Sequence, residues 1–197
     1  MKSYAKLLPL ALLAALVATL CDWNHAYTGA LVYPEPAMGI QAWWVFPGFF
    51  GAFLSMGLIY QLLARAADGR IALGLSTSPG TLSPFVEARS AFAMVYLASG
   101  WGHEHPALMN AVFAAFFVIR WAATYERTWL LLVAIALAIG GVGVEGALSA
   151  FGLVAYGHQE IFYCPWWLAG VYLHGAFALR EGMRLFYYRA PVAGNAT

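Results

Sequence analysis

Charge is what this chain has least of. Only 10% of its 197 residues are Asp, Glu, Lys or Arg, where a soluble domain carries about 25%. So little charge cannot coat a globular surface. The net charge of +1 makes no case for nucleic acid or an acidic partner. Cysteine is equally scarce, with only Cys21 and Cys164. They map near the same ends of the first and last apolar runs, so a disulfide is geometrically conceivable. Small buried thiols in apolar helices need no such link. Catalytic signatures are missing too: there is no GxSxG, no Walker loop, no Cys–His spacing and no HExxH.

What the chain has is apolar length. Hydrophobic residues make up 62% of it and aromatics 16%. Runs long enough to cross a bilayer fall at about residues 5–21, 40–64, 85–101, 107–123, 129–156 and 162–187. This reads as an all-α integral membrane protein: one domain over residues 1–197, a six-helix transmembrane bundle with short loops. The first run follows Lys2 and Lys6 but lacks a small-residue cleavage site. It is expected to stay as span one.

The cations sort by side. Lys2 and Lys6 precede span one. Arg65, Arg70 and Arg89 flank the loop between spans two and three. Arg120 and Arg127 flank the next loop on that side, and Arg180, Arg184 and Arg189 lie at or beyond the end of span six. The other three loops carry none. By the positive-inside rule both termini face the cytoplasm. The carboxy-terminal Asn-Ala-Thr sequon then lies on the cytoplasmic side and is expected to stay unglycosylated.

Small residues crowd span five, including Gly140, Gly141, Gly143, Gly146 and Gly152. Such spacing lets helices approach closely in lipid. It serves packing within the bundle, a homo-oligomer seam, or a wall open to a lipid. Span two opens on WWVFPGFFG, where Pro47 and Gly48 loosen the helix.

Two polar residues need a reason. Counted from the expected outer ends near Tyr156 and Ile161, Glu145 and His174 lie about 17 and 20 Å deep at 1.5 Å per residue. Their spans are sequence neighbours, so a Glu–His contact at mid-membrane is expected. An intramembrane ionisable group is a functional candidate by default. Three roles fit: a satisfied hydrogen bond, a contact to the polar head of an apolar ligand, or proton coupling in a small carrier.

The outer face collects Asp22, His25, Glu35, His103, Glu104, His105, His158 and Glu160. These residue types build zinc sites, so a membrane-embedded metal-dependent hydrolase is an alternative. It requires Asp22, His25, His103 and His158 to converge. On the inner face, Glu126 and Arg127 occupy a tight turn. They serve capping and topology, or present a charge pair to a partner.

Several of these residues resemble the Insig family, small sterol-responsive membrane proteins, through a bacterial homologue. The start of span two reads Ala42-Trp43-Trp44-Val45-Phe46-Pro47 and continues to Gly57-Leu58-Ile59-Tyr60. Tyr33-Pro34-Glu35 matches the upstream pattern. Thr124-Tyr125-Glu126-Arg127-Thr128 is similar to the family's Thr-Phe-Asp-Arg-Ser turn, and Trp167-Leu168 and Gly175 to its last span. The resemblance implies that Glu126 stands where the family binds its escort protein Scap, with Asp replaced by Glu. It implies a ligand cavity among the helices, with Glu145 at or next to a cavity-facing position.

Taken together, these features lead to a non-enzymatic, Insig-like sensor or regulatory protein that holds a sterol or diacylglycerol within the membrane. Glu145 and His174 are its expected polar contacts, with walls from Trp43, Trp44, Phe46, Phe49, Phe50, Phe113, Phe116 and Phe151. No metal or cofactor beyond a bound lipid is expected. A homo-oligomer and a membrane-protein partner at Glu126 and Arg127 are the expected partners. The location is a cell inner membrane in a bacterium, or the endoplasmic reticulum in a eukaryote.

Overall fold

The computed structural model describes residues 4–67 and 78–188. Lys2, Arg70, Arg189 and the Asn-Ala-Thr sequon lie outside the described residues. Six helices make up the bundle: α1 (Leu7–Thr28), α2 (Val45–Ala67), α3 (Leu82–Trp101), α4 (Pro106–Ala123), α5 (Arg127–Ala150) and α6 (Trp167–Gly182), the last continuing as a π-turn over Met183–Tyr187. Two short strands, β1 (Leu31–Val32) and β2 (Ala155–Tyr156), pair antiparallel and tie the loop after α1 to the loop after α5. We call that end of the bundle the strand end, and the other the terminal end.

Helix boundaries follow local chemistry. α1 runs past Cys21 to Thr28 and stops at Gly29, whose left-handed φ of 81° lets its N–H bond the His25 carbonyl. Pro106 opens α4 where a missing N–H costs nothing. α5 stops at Ala150, and Gly152 turns the chain at φ 71°. Phe162 and Tyr163 both hold positive φ. A helix cannot start there, so α6 begins only at Trp167. The expected spans are therefore shifted: α1 is longer at the strand end, whereas α2, α5 and α6 are shorter there.

α6 is the central helix and packs against α3, α4 and α5, while α1 packs against α2 and α3. α2 and α5 flank the bundle without close packing between them. Outward faces are apolar. Leu8, Leu12, Leu16 and Leu20 form an exposed row along α1, one residue per turn. α1 with its leading turn, α2, α4 and α5 are long and apolar enough to cross a membrane. α3 carries Glu87 and Arg89 within it, and α6 has only 16 residues.

Every described Lys and Arg lies in the terminal half. Asp22, Glu35, Glu104, Glu145 and Glu160 lie in the strand half. Cys21 and Cys164 are both free and buried.

Candidate functional site: a cavity between α2 and α5

Where α2 and α5 stand apart, a cavity of about 560 Å³ opens. Pockets that bury small-molecule ligands span roughly 300–1,000 Å³. Its shaft is apolar, lined by Phe53, Met56 and Ile59 of α2 and by Val133, Leu137 and Val144 of α5. Four of its polar residues gather towards the strand end, Asp22, Tyr33, Glu145 and Tyr172, while Ser55 and Tyr60 lie further along α2.

Each carboxyl group there is held by two side-chain donors. Tyr156 and Tyr172 donate their hydroxyls to Glu145 at 2.8 and 3.0 Å. Tyr33 and Gln41 donate to one oxygen of Asp22 at 2.7 and 2.6 Å. Both acids sit at a similar level. Glu145 is five residues from the end of α5 and Asp22 six from the end of α1, about 8 and 9 Å respectively at 1.5 Å per residue. Neither is at the middle of its helix.

Two glycines of α5 make this geometry possible. A Cβ on Gly141 would stand 2.4 Å from the Tyr172 ring, and one on Gly146 would stand 2.1 Å from the Phe162 carbonyl oxygen. The first lets Tyr172 lie flat on α5 and reach Glu145. The second lets the loop before α6 close over the helix. Gly140 lines the cavity, and Gly143 faces open space.

Of the expected ligand contacts, the cavity brings together Glu145, Trp44 and Phe49. Phe46 and Phe50, both half-buried on α2, are not among its lining residues. Trp43 is 66% exposed and Phe151 80% exposed, both away from it. Phe113 is buried against Gly170 of α6, and Phe116 stacks on His174.

The expected contact between Glu145 and His174 does not form. His174 Nε2 donates to the Phe113 carbonyl at 3.1 Å, and Arg120 Nη1 donates to His174 Nδ1 at 3.1 Å. The reason is helical phase. Tyr172 and His174 are two residues apart, so they point to opposite sides of α6. Tyr172 takes the α5 side and His174 the α4 side.

Four residues were required to converge for a metal site, and they do not. Asp22 is held as above. His25 Nε2 lies 2.8 Å from Ser99 Oγ, and His103 Nε2 lies 3.0 Å from the Thr28 carbonyl. His158 pairs with Glu160 at 3.2 Å. Among the described residues, no group of three His, Cys, Asp or Glu side chains is placed to hold an ion.

At the terminal end, Glu126 sits at φ 54° in the turn before α5. That turn is clamped to α6. Arg180 donates to Glu181 at 2.9 Å, to the Tyr125 carbonyl at 2.8 Å and to Thr124 Oγ1 at 3.0 Å. Tyr125 donates its hydroxyl to Glu181 at 2.5 Å. Burial, and then that bond to a carboxylate, push the Tyr125 phenol up to about 12. Arg127 Nε bonds the Thr124 carbonyl at 3.2 Å.

No protein-family model matches the chain, and no curated protein matches it. Solved structures do. The Insig homologue MvINS from Mycobacterium vanbaalenii superposes with a TM-score of 0.78 at 21% identity, over 95% of this chain and 97% of that one. The chain has the fold of a mycobacterial Insig homologue. A cross-linked trimer of a cysteine variant of MvINS superposes equally well, with a TM-score of 0.78 at 21% identity. With its apolar helices, this fold makes the chain an integral membrane protein. Asp22, Tyr33 and Tyr172 are polar cavity residues that sequence reasoning did not place there. A signal existed for Asp22: the residues after it, Trp-Asn-His-Ala-Tyr-Thr, contain no helix breaker before Gly29.

Proposed function

We propose that this protein is a non-enzymatic, Insig-like lipid-binding regulator. It spans the membrane six times, with both termini in the cytoplasm and the strand end outward. It holds a sterol or diacylglycerol between α2 and α5. One observation carries this reading: a lipid-sized apolar cavity with two tyrosine-held carboxyls at one end. Carboxyl oxygens have more acceptor sites than the two bonds each receives here. A ligand hydroxyl donating to Asp22 or Glu145 fills a remaining site.

Lipid is the competing solvent, so apolar contact alone gives little preference. The head cluster and the shape of the cavity must select the ligand. Self-association of this chain, and a membrane-protein partner at the clamped Glu126–Arg127 turn, belong to the same proposal. The neighbouring trimer supports the first.

Native mass spectrometry of the detergent-extracted protein tests the reading. A defined lipid should accompany the wild type and be lost from Glu145→Leu. Finding no lipid, or equal retention in both proteins, would refute it.

A further inference from the structure

A second, smaller hollow of about 80 Å³ lies among α1, α2, α3 and α6. It shares Phe49, Phe53, Met56, Leu137, Tyr172 and Leu179 with the main cavity. One partition of movable side chains therefore separates the two, and Met56 is the most adaptable of them. The hollow is apolar but for Tyr96, Tyr172 and one charged group, Arg89.

Arg89 is hard to explain as a topology signal. It lies seven residues inside α3, about 10 Å from the terminal end of that helix at 1.5 Å per residue. Its long side chain does not reach back to the end of the bundle. Instead Nη2 donates to the Leu13 carbonyl of α1, which is about 9 Å from the start of that helix. The guanidinium is thereby held at its own depth, 5.8 Å from the centre of the Phe85 ring. Among the described residues no carboxylate forms an ion pair with it. A guanidinium has five donors in a planar fork that fits a carboxylate. A charge kept at depth beside an apolar hollow marks a site whose partner must be named.

We infer that Arg89 is an anion subsite and that the ligand is a carboxylated amphiphile. This rests on the cavity being a lipid site and adds a carboxylated amphiphile as a second ligand class beside the sterol or diacylglycerol. The carboxylate lies on Arg89 and a hydroxyl lies among Asp22, Tyr33, Glu145 and Tyr172. The two polar ends then match the acids of the main cavity towards the strand end and Arg89 of the smaller hollow nearer the terminal end. Arg89 is about 18 Å from the strand end of α3, and the acids are about 8–9 Å from theirs, at 1.5 Å per residue. The axial offset is therefore roughly 10 Å. Neighbouring helix axes add a lateral step of about 8–10 Å. A medium-length hydroxy acid covers that span.

The full chain in nanodiscs is titrated with ω-hydroxydodecanoic acid and with its methyl ester, following intrinsic tryptophan fluorescence, to which Trp44 in the cavity wall contributes. The expected result is acid bound about tenfold or more tightly than ester, as a charge-assisted bond implies. Arg89→Gln should bring the acid to the ester's affinity and leave the ester unchanged. Arg89→Lys should keep part of the preference. Equal binding of acid and ester by the wild type would overturn the inference while leaving the cavity reading intact, since the ester still binds. So would an Arg89→Gln variant that loses both probes equally. Failure of both probes to bind the wild type overturns the inference, while the sterol or diacylglycerol reading stands or falls on the lipid found by native mass spectrometry.

Discussion

Substituting Gly141 by Ala should damage the cavity more than its single methyl group suggests. The added Cβ would stand 2.4–2.5 Å from three atoms of the Tyr172 ring. Ordinary carbon contacts need about 3.5 Å, so the ring must retreat by about 1 Å. The Tyr172 hydroxyl is 3.0 Å from Glu145, and a shift of that size takes it out of hydrogen-bond range. Overpacking costs about 1–3 kcal/mol. Leaving a carboxyl short of a donor adds about 1–3 kcal/mol. The total is roughly 2–6 kcal/mol when the two add. Gly143→Ala is the control on the same helix, since nothing lies within 4 Å of its added Cβ. It should stabilise by up to about 1 kcal/mol through helix propensity. Tyr172→Phe separates the bond from the clash. Thermal unfolding followed by tryptophan fluorescence, with lipid retention measured on the same samples, reads both effects. If Gly141→Ala melts with Gly143→Ala and keeps its lipid, Tyr172 does not organise the cavity.

Three further outcomes are expected. His174→Leu should lower stability by about 2–4 kcal/mol, because it removes two hydrogen bonds, one from a guanidinium. It should leave lipid retention unchanged, because His174 faces α4; a lipid-free His174→Leu protein would contradict this. Arg180→Gln leaves Glu181 buried without its cation, at a cost of about 3–5 kcal/mol. Hydrogen exchange should rise at Thr124–Arg127 ahead of the rest of the bundle, and uniform exchange would show that the clamp is not local. Single cysteines placed at Lys6 or Glu104 in a protein lacking Cys21 and Cys164 should label from opposite sides of a sealed vesicle. Labelling from one side only would overturn the six-span topology.

How much of this was legible beforehand depended on the kind of signal. The charge sorting was fully visible, because Lys and Arg avoid one half of the bundle without exception among the described residues. Helix ends were less so. Asp22 reads as the end of a span, yet α1 continues past it because Tyr33 and Gln41 satisfy its carboxyl. α5 reads as continuing to Tyr156, yet the chain turns at Gly152 and residues 155–156 pair with β1. Strands of two residues have no periodicity to detect. These end effects moved Glu145 from an apparent depth of about 17 Å to one of about 8 Å. The candidate site suffered most. Tyr33 lies in the loop after α1 and folds back onto it, a return that no helical period marks, and Tyr172 looked like one more aromatic in an apolar run.

The shallower position of Glu145 alters the energetics of the site. Ionisable groups become cheaper towards the interface than at the centre of a bilayer. A carboxyl about 8 Å below a helix end needs no ligand to be tolerated, since Tyr156 and Tyr172 already satisfy it. Its role in binding therefore cannot be inferred from the cost of burying it, and must come from the cavity beside it. That cavity runs from Trp44 and Leu148 near the strand end towards Leu63 and Val133. A sterol or diacylglycerol with its hydroxyl at Glu145 would point its apolar body towards the bilayer centre, as a membrane lipid of that leaflet already does. It can pass sideways between α2 and α5 without turning its head through hydrocarbon. The separation of α2 from α5, as much as the acid itself, is what makes lipid binding physically accessible to this fold.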